Sequence, residues 1–205
     1  MVTLQGTKRP LAGMLGLGGP VLVVPEQIRG LKEISLFSGV GGGVLASRLL
    51  GWETVAYVEW DDFAKKVLKA RIEDGSIHDA PIFSDAQEFD GAAWQGKADV
   101  ISAGFPCQPF SVAGLREGVN DERNMWPATL RVIRDVRPRY AFLENVPGLL
   151  SEGHGYFGTV LGDLAESGFD AVWDVISASS VGAPHRRDRL WILAYRPDSG
   201  QPDPG

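Results

Sequence analysis

Glu33-Ile34-Ser35-Leu36-Phe37-Ser38-Gly39-Val40-Gly41-Gly42-Gly43 joins a short β-prone run to a glycine-rich turn at the start of a helical pattern. Glycines at such a junction let backbone N–H groups approach a ligand at the helix N-terminus. The stretch therefore reads as a nucleotide-like cofactor loop, with a plain tight turn as the simpler alternative. It is not the dinucleotide pattern G-x-G-x-x-G, which counted from Gly39 needs glycine at position 44 and meets Val44. Outward from this junction, β-rich runs at 33–37, 53–58, 98–103, 140–144, 171–177 and 190–195, with a weaker one at 82–83, alternate with helical patterns at 43–50, 61–73, 122–136 and 156–166. That alternation predicts an α/β chain, a mostly parallel twisted sheet with helices on both faces.

Composition bounds the class. At 205 residues the chain can bury one substantial core, and 44% hydrophobic with 22% charged residues is ordinary for a globular protein. One Cys permits neither an intramolecular disulfide nor a cysteine-rich metal cluster, so an intracellular, cytoplasmic chain without a bound metal is expected. A formal net charge of −6 is opposite to that of a self-sufficient duplex-binding domain. Arginines nevertheless cluster, at 116, 123, 131, 134, 137 and 139 and again at 186, 187 and 189; a solvated helix face is the plainer reading of such a run. No apolar run reaches the roughly 18 to 20 residues that span a bilayer. Residues 1–30 read as an extension, 31–196 as one domain and 197–205 as a tail.

Several residue groups carry chemistry. The second strand runs into Glu59-Trp60-Asp61: an acid there is placed to accept from ribose hydroxyls, and Trp60 to stack on a purine. The alternatives are a helix-end charge for Glu59 and a core aromatic for Trp60. Asp85, after the third run, could accept from an exocyclic amine or simply cap a turn. Gly104-Phe105-Pro106-Cys107-Gln108-Pro109-Phe110-Ser111 follows the fourth strand, where two prolines restrict the backbone around the single thiol. A Cys so fixed on a loop suits a nucleophile, whereas a structural Cys fills space inside an element.

The segment from Gly104 to Ser111 resembles the nucleophile loop of the DNA (cytosine-5)-methyltransferases, and further motifs fall in the same order. Phe37-Ser38-Gly39-Val40-Gly41-Gly42 resembles the family's cofactor loop, Glu59 its ribose-binding acid and Asp85 its adenine-binding acid. Glu144-Asn145-Val146 resembles its catalytic glutamate motif, and Pro184-His185-Arg186-Arg187-Asp188-Arg189 its arginine motif. The resemblance covers roughly residues 33 to 195. It implies a Rossmann-like class I methyltransferase fold, S-adenosyl-L-methionine as cofactor, held by Phe37, Ser38, Gly39, Gly41, Gly42, Glu59, Trp60, Asp85 and Pro106, and double-stranded DNA as substrate. In that mechanism Cys107 adds to C6 of a cytosine flipped out of the duplex while Glu144 engages N3. Arg189 would hold the base O2 and the Glu144 carboxylate, and Arg187 would contact backbone phosphate or brace the site; surface ion pairing is the plainer alternative for both. Gln108, Ser111, Arg116, Asn145 and Val146 would face the nucleic acid, with 112–125 a loop over the flipped base.

The sequence departs from the family at three places. Ser35 stands where an acid usually precedes the cofactor loop, and His185 where a Gln is usual. After Tyr195 the family continues into a target-recognition region and two more motifs. The resemblance therefore implies that a second polypeptide supplies recognition, or else that the chain is a silent cofactor- or partner-binding domain. A tRNA cytosine methyltransferase, a cousin in fold and chemistry, is a further alternative.

Overall fold

The computed structural model describes residues 26–106, 124–151 and 155–197. The strands β1 (Lys32–Leu36), β2 (Glu53–Val58), β3 (Ile82–Phe83), β4 (Val100–Ala103), β5 (Tyr140–Asn145), β6 (Asp170–Ser177) and β7 (Asp188–Tyr195) form one seven-stranded sheet. They lie in the order β3-β2-β1-β4-β5-β7-β6. From β3 to β5 all neighbours are parallel, whereas β7 runs antiparallel to both β5 and β6. Chain order reverses between β1 and β4, and such a switch point opens a crevice at the carboxyl ends of the strands.

Helices α1 (Gly42–Leu49), α2 (Asp62–Glu73), α3 (Trp126–Val136) and α4 (Tyr156–Glu166) complete the layers. On one face Ile34, Leu36, Val58, Ile101, Ala103, Leu143 and Ile192 pack against Leu130 and Ile133 of α3 and Val160 and Leu164 of α4, the main core. On the other, Val44 of α1, Tyr57 of β2, Leu68 of α2 and Ile77 form a smaller cluster. Helices thus cover both faces, as the α/β pattern requires.

Boundaries differ from the sequence reading where local geometry intervenes. Strand β1 stops at Leu36, not Phe37, because Phe37 turns left-handed, φ 53°. Strand β7 starts two residues earlier than its apolar run, since Asp188 pairs with Ser177 across the hairpin. Helix α3 begins at Trp126, with Pro127 in its first turn, where a missing N–H costs nothing; residues 122 and 123 of the expected helix lie outside the described residues. At the other end, residues 28–30, read as extension, are tied to the domain: the Ile28 carbonyl accepts from the Trp52 indole at 2.7 Å and Gly30 donates to the Gly51 carbonyl. No described helix is long and apolar enough to cross a membrane.

Candidate active site

The carboxyl ends of β1, β2 and β5 carry the 37–42 loop, Glu59 and Glu144, and the chain leaving β4 carries Gly104 to Pro106. At β1, Gly39 and Gly41 adopt φ of 54° and 90°, the latter capping α1 with no side chain on its first N–H groups. A Cβ at Gly39, Gly42 or Gly43 would meet no described residue within 4 Å, so no side chain bars a ligand's approach to the backbone at the start of α1. Ser38 is turned inward instead, its hydroxyl donating to the Ser35 carbonyl at 2.8 Å. Phe37 packs partly against the main core.

Glu59, at the end of β2, is 8% exposed and braces this loop. Its two carboxylate oxygens accept from Gly39 N at 2.6 Å and from Asp61 N at 2.7 Å. A carboxylate offers about four acceptor positions, so two remain for a ligand's hydroxyls. Asp61 in turn caps α2, accepting from Ala64 N at 2.7 Å. Trp60 is 74% exposed, which removes the core-aromatic reading and leaves a bare indole beside the loop. Asp85 closes a turn by accepting from Gln87 N at 2.7 Å; the turn-capping alternative is what the geometry contains, and its other oxygen has no hydrogen-bond partner among the described residues. Among the described residues no cluster of three His, Cys, Asp or Glu side chains could hold a metal ion.

At β4 and β5 the geometry is tighter. Glu144 accepts from Arg189 Nε at 2.6 Å, and both side chains keep about a quarter of their surface exposed. A Cβ placed on Gly104 would come within 3.1 Å of the second Glu144 oxygen. The chain thus passes close to the carboxylate two residues before Pro106, and a side chain at 104 would require that oxygen to give by a few tenths of an ångström. Asn145 does not face outward as expected: it is buried, its amide donates to the Phe105 carbonyl at 3.1 Å, and its oxygen accepts from Val146 N. Its part here is to tie β5 to the chain leaving β4. Nothing in the sequence signalled that contact, because its partner is a backbone group 40 residues away.

Arg187 is exposed and left-handed at φ 32°, and forms no ion pair with a described residue, while Arg186 reaches Asp188 at 3.4 Å. His185 is also exposed, and Val146 and Pro106 are half-buried. Cys107, Gln108, Ser111, Arg116 and Arg123 lie outside the described residues.

The comparisons agree on one family. The model of the C-5 cytosine-specific DNA methylases matches residues 31–203. Type II methyltransferase M.BsuFI of Bacillus subtilis is 35% identical over 179 residues, 85% of this chain but 42% of its own length. For M.HpaII of Haemophilus parainfluenzae the figures are 34% over 187 residues, 87% and 51%. The chain therefore spans about half the length of the curated relatives it matches. Among solved structures, Spodoptera frugiperda DNMT2 superposes with a TM-score of 0.69 at 26% identity, covering 85% of this chain and 53% of that one. With its glycine-lined edge, its paired Glu144 and Arg189, and a family model matching nearly all of its domain, this chain belongs to the C-5 cytosine-specific DNA methylases.

Proposed function

We propose that the chain is the catalytic half of an enzyme that methylates C5 of cytosine in DNA, with Cys107 as nucleophile. The observation that carries this reading is the Glu144–Arg189 pair, 2.6 Å apart, beside the glycine that leads to Pro106 and Cys107. Cytosine C5 is a poor nucleophile. Addition of the Cys107 thiolate to C6 breaks the C5–C6 double bond and sends its electron pair towards C5 and N3, where Glu144 stabilises it by protonating or hydrogen-bonding N3. Arg189 orients the Glu144 carboxylate and donates to the base O2. C5, made nucleophilic in this way, would take the methyl group of a bound sulfonium cofactor as the S–CH3 bond breaks and a neutral thioether leaves; loss of the C5 proton to a base would then re-form the C5–C6 double bond and expel the thiolate. Because C6 is stacked inside a duplex, the target nucleotide must be extruded first.

S-adenosyl-L-methionine, the cofactor implied by the family and fold, supplies an electrophilic methyl group on a sulfonium centre when bound. The residues present fit it. The uncapped N-terminus of α1 would hold its carboxylate, the remaining acceptor positions of Glu59 its ribose hydroxyls, and the exposed face of Trp60 its purine. Asp85 keeps one oxygen for an exocyclic amine.

The chain matches about half the length of its relatives; we assign target recognition to the remainder of that length, so methyl transfer by residues 1–205 alone is expected to be weak. The test is to incubate the chain with S-adenosyl-L-methionine and DNA containing 5-fluorocytosine, which cannot lose its C5 substituent as a proton, with and without a polypeptide matching the part of the relatives outside the aligned region. A mass-shifted Cys107 peptide, absent from Cys107→Ser, is expected. No adduct in either arm, with cofactor binding measured, would leave a cofactor- or partner-binding domain.

A further inference from the structure

We infer that Trp126 and Asp163 are positioning residues for the nucleophile, coupling α4 to the end of β4 from which Cys107 departs. This inference rests on the proposed methyl-transfer reading for its role in turnover, but its geometry stands apart from it. The described chain leaves at Pro106 and re-enters at Asn124, and the two borders are packed together. The Phe105 ring lies against the Trp126 ring, centroids 5.3 Å apart and planes at 47°. Both side chains are almost wholly buried.

What sets this contact apart from ordinary core packing is its polar frame. The Trp126 indole N–H donates to Asp163 Oδ2 at 2.7 Å, from α3 to α4. Asn124 donates to the Tyr156 hydroxyl at 2.5 Å, again on α4, and its own oxygen accepts from Trp126 N at 3.2 Å. On the far side the Phe105 carbonyl accepts from Asn145, the neighbour of Glu144. A Leu or Phe at position 126 would fill the same space without a donor to satisfy, whereas a buried indole N–H costs free energy unless it is paired. The pairing fixes the rotation of the Trp126 ring, and through it the seat of Phe105, two residues before Cys107. A continuous path thus runs from α4 through Trp126 and Phe105 to Asn145, joining the chain that leaves β4 to the strand that carries Glu144.

Cys107 is the single cysteine, so alkylation by iodoacetamide reports on it without DNA or partner. In the full chain, Trp126→Phe removes the donor and keeps a ring, Asp163→Leu removes the acceptor, and Asp163→Asn retains an acceptor oxygen. Expected are a change of about threefold or more in the Cys107 alkylation rate for Trp126→Phe and Asp163→Leu and about a tenfold slower adduct with 5-fluorocytosine DNA. The KM for S-adenosyl-L-methionine should stay within about twofold, and Asp163→Asn should restore both rates. Should Asp163→Leu fail to fold, Trp126→Phe and Asp163→Asn still decide the matter. Alkylation rates within twofold of wild type, with only the melting temperature altered, would reduce the pair to core packing and overturn the inference. A wild-type chain that forms no adduct, while its thiol still responds to these substitutions, would sink the methyl-transfer reading and leave the positioning of Cys107 intact.

Discussion

Gly104 is the residue at which the site is most sensitive to a single atom. Its backbone has an ordinary φ, so alanine meets no backbone strain there; among the described residues the added Cβ meets only the Glu144 carboxylate, at 3.1 Å. That oxygen must give way by a few tenths of an ångström, and Glu144 is already held at 2.6 Å by Arg189. Gly104→Ala is therefore expected to slow adduct formation on the order of tenfold to a hundredfold, while shifting the melting temperature by less than about 2 °C. Parallel melting curves and adduct rates check both halves, and an unchanged rate would show that Glu144 tolerates displacement. Motifs made Glu144 and Arg189 legible in the sequence, since both are charged residues at strand ends. Gly104 was legible only as part of the loop that follows β4, because its constraint comes from a side chain on another strand. The Asn145 contact was hidden for the same reason. Trp60 stood between two readings until its exposure decided against the core.

Between elements, β1, β2, β4 and α1 meet on a buried acid that no motif announced. Glu33 is fully buried, and its oxygens accept from the hydroxyls of Ser47 at 2.7 Å, Ser102 at 2.5 Å and Thr54 at 2.8 Å. Three hydroxyls scattered over 14 to 69 positions of sequence separation give no pattern to read. Close by in β2, burial and then the negative charge of Glu33 push the Tyr57 hydroxyl from the ordinary 10.0 up to about 12. The unfolded chain ionises this group first, so its contribution to stability is complete below pH 10 and is lost as pH rises through about 12. The amount at stake is on the order of 2 kcal/mol. Wild type should lose melting temperature more steeply than Tyr57→Phe between these limits, in a series of melts at closely spaced alkaline pH. Equal slopes would mean that Tyr57 ionises alike in both states. The strands themselves were largely readable, except where a backbone angle ends β1 at Phe37 or where hairpin pairing extends β7 to Asp188.

Across the whole molecule, the sequence reading recovered an α/β sheet with helices on both faces but not the reversal of its last strands. The reason is physical: residues 178–187 between β6 and β7 are fewer than the dozen or so that a parallel crossover needs, so an antiparallel hairpin is the connection available. That hairpin carries Arg186 and Arg187 outward on a chain whose formal net charge is −6. An acidic molecule gains little from its overall field near DNA, so phosphate contacts must come from local cations such as these. Arg187 is suited to the task because it is exposed, forms no ion pair with a described residue, and is held at φ 32°, where a non-glycine side chain is uncommon. Arg187→Gly removes the charge while accepting that backbone angle without strain, which separates binding from folding. With the catalytic reading above, this variant is expected to weaken DNA binding uniformly across sequences and to lower the slope of log affinity against log salt by about one. Its melting temperature should stay within about 2 °C of wild type. Fluorescence anisotropy with two unrelated duplexes at several salt concentrations measures the slope. An unchanged slope would take Arg187 off the phosphate backbone and leave its strained conformation to be explained by contacts within the protein.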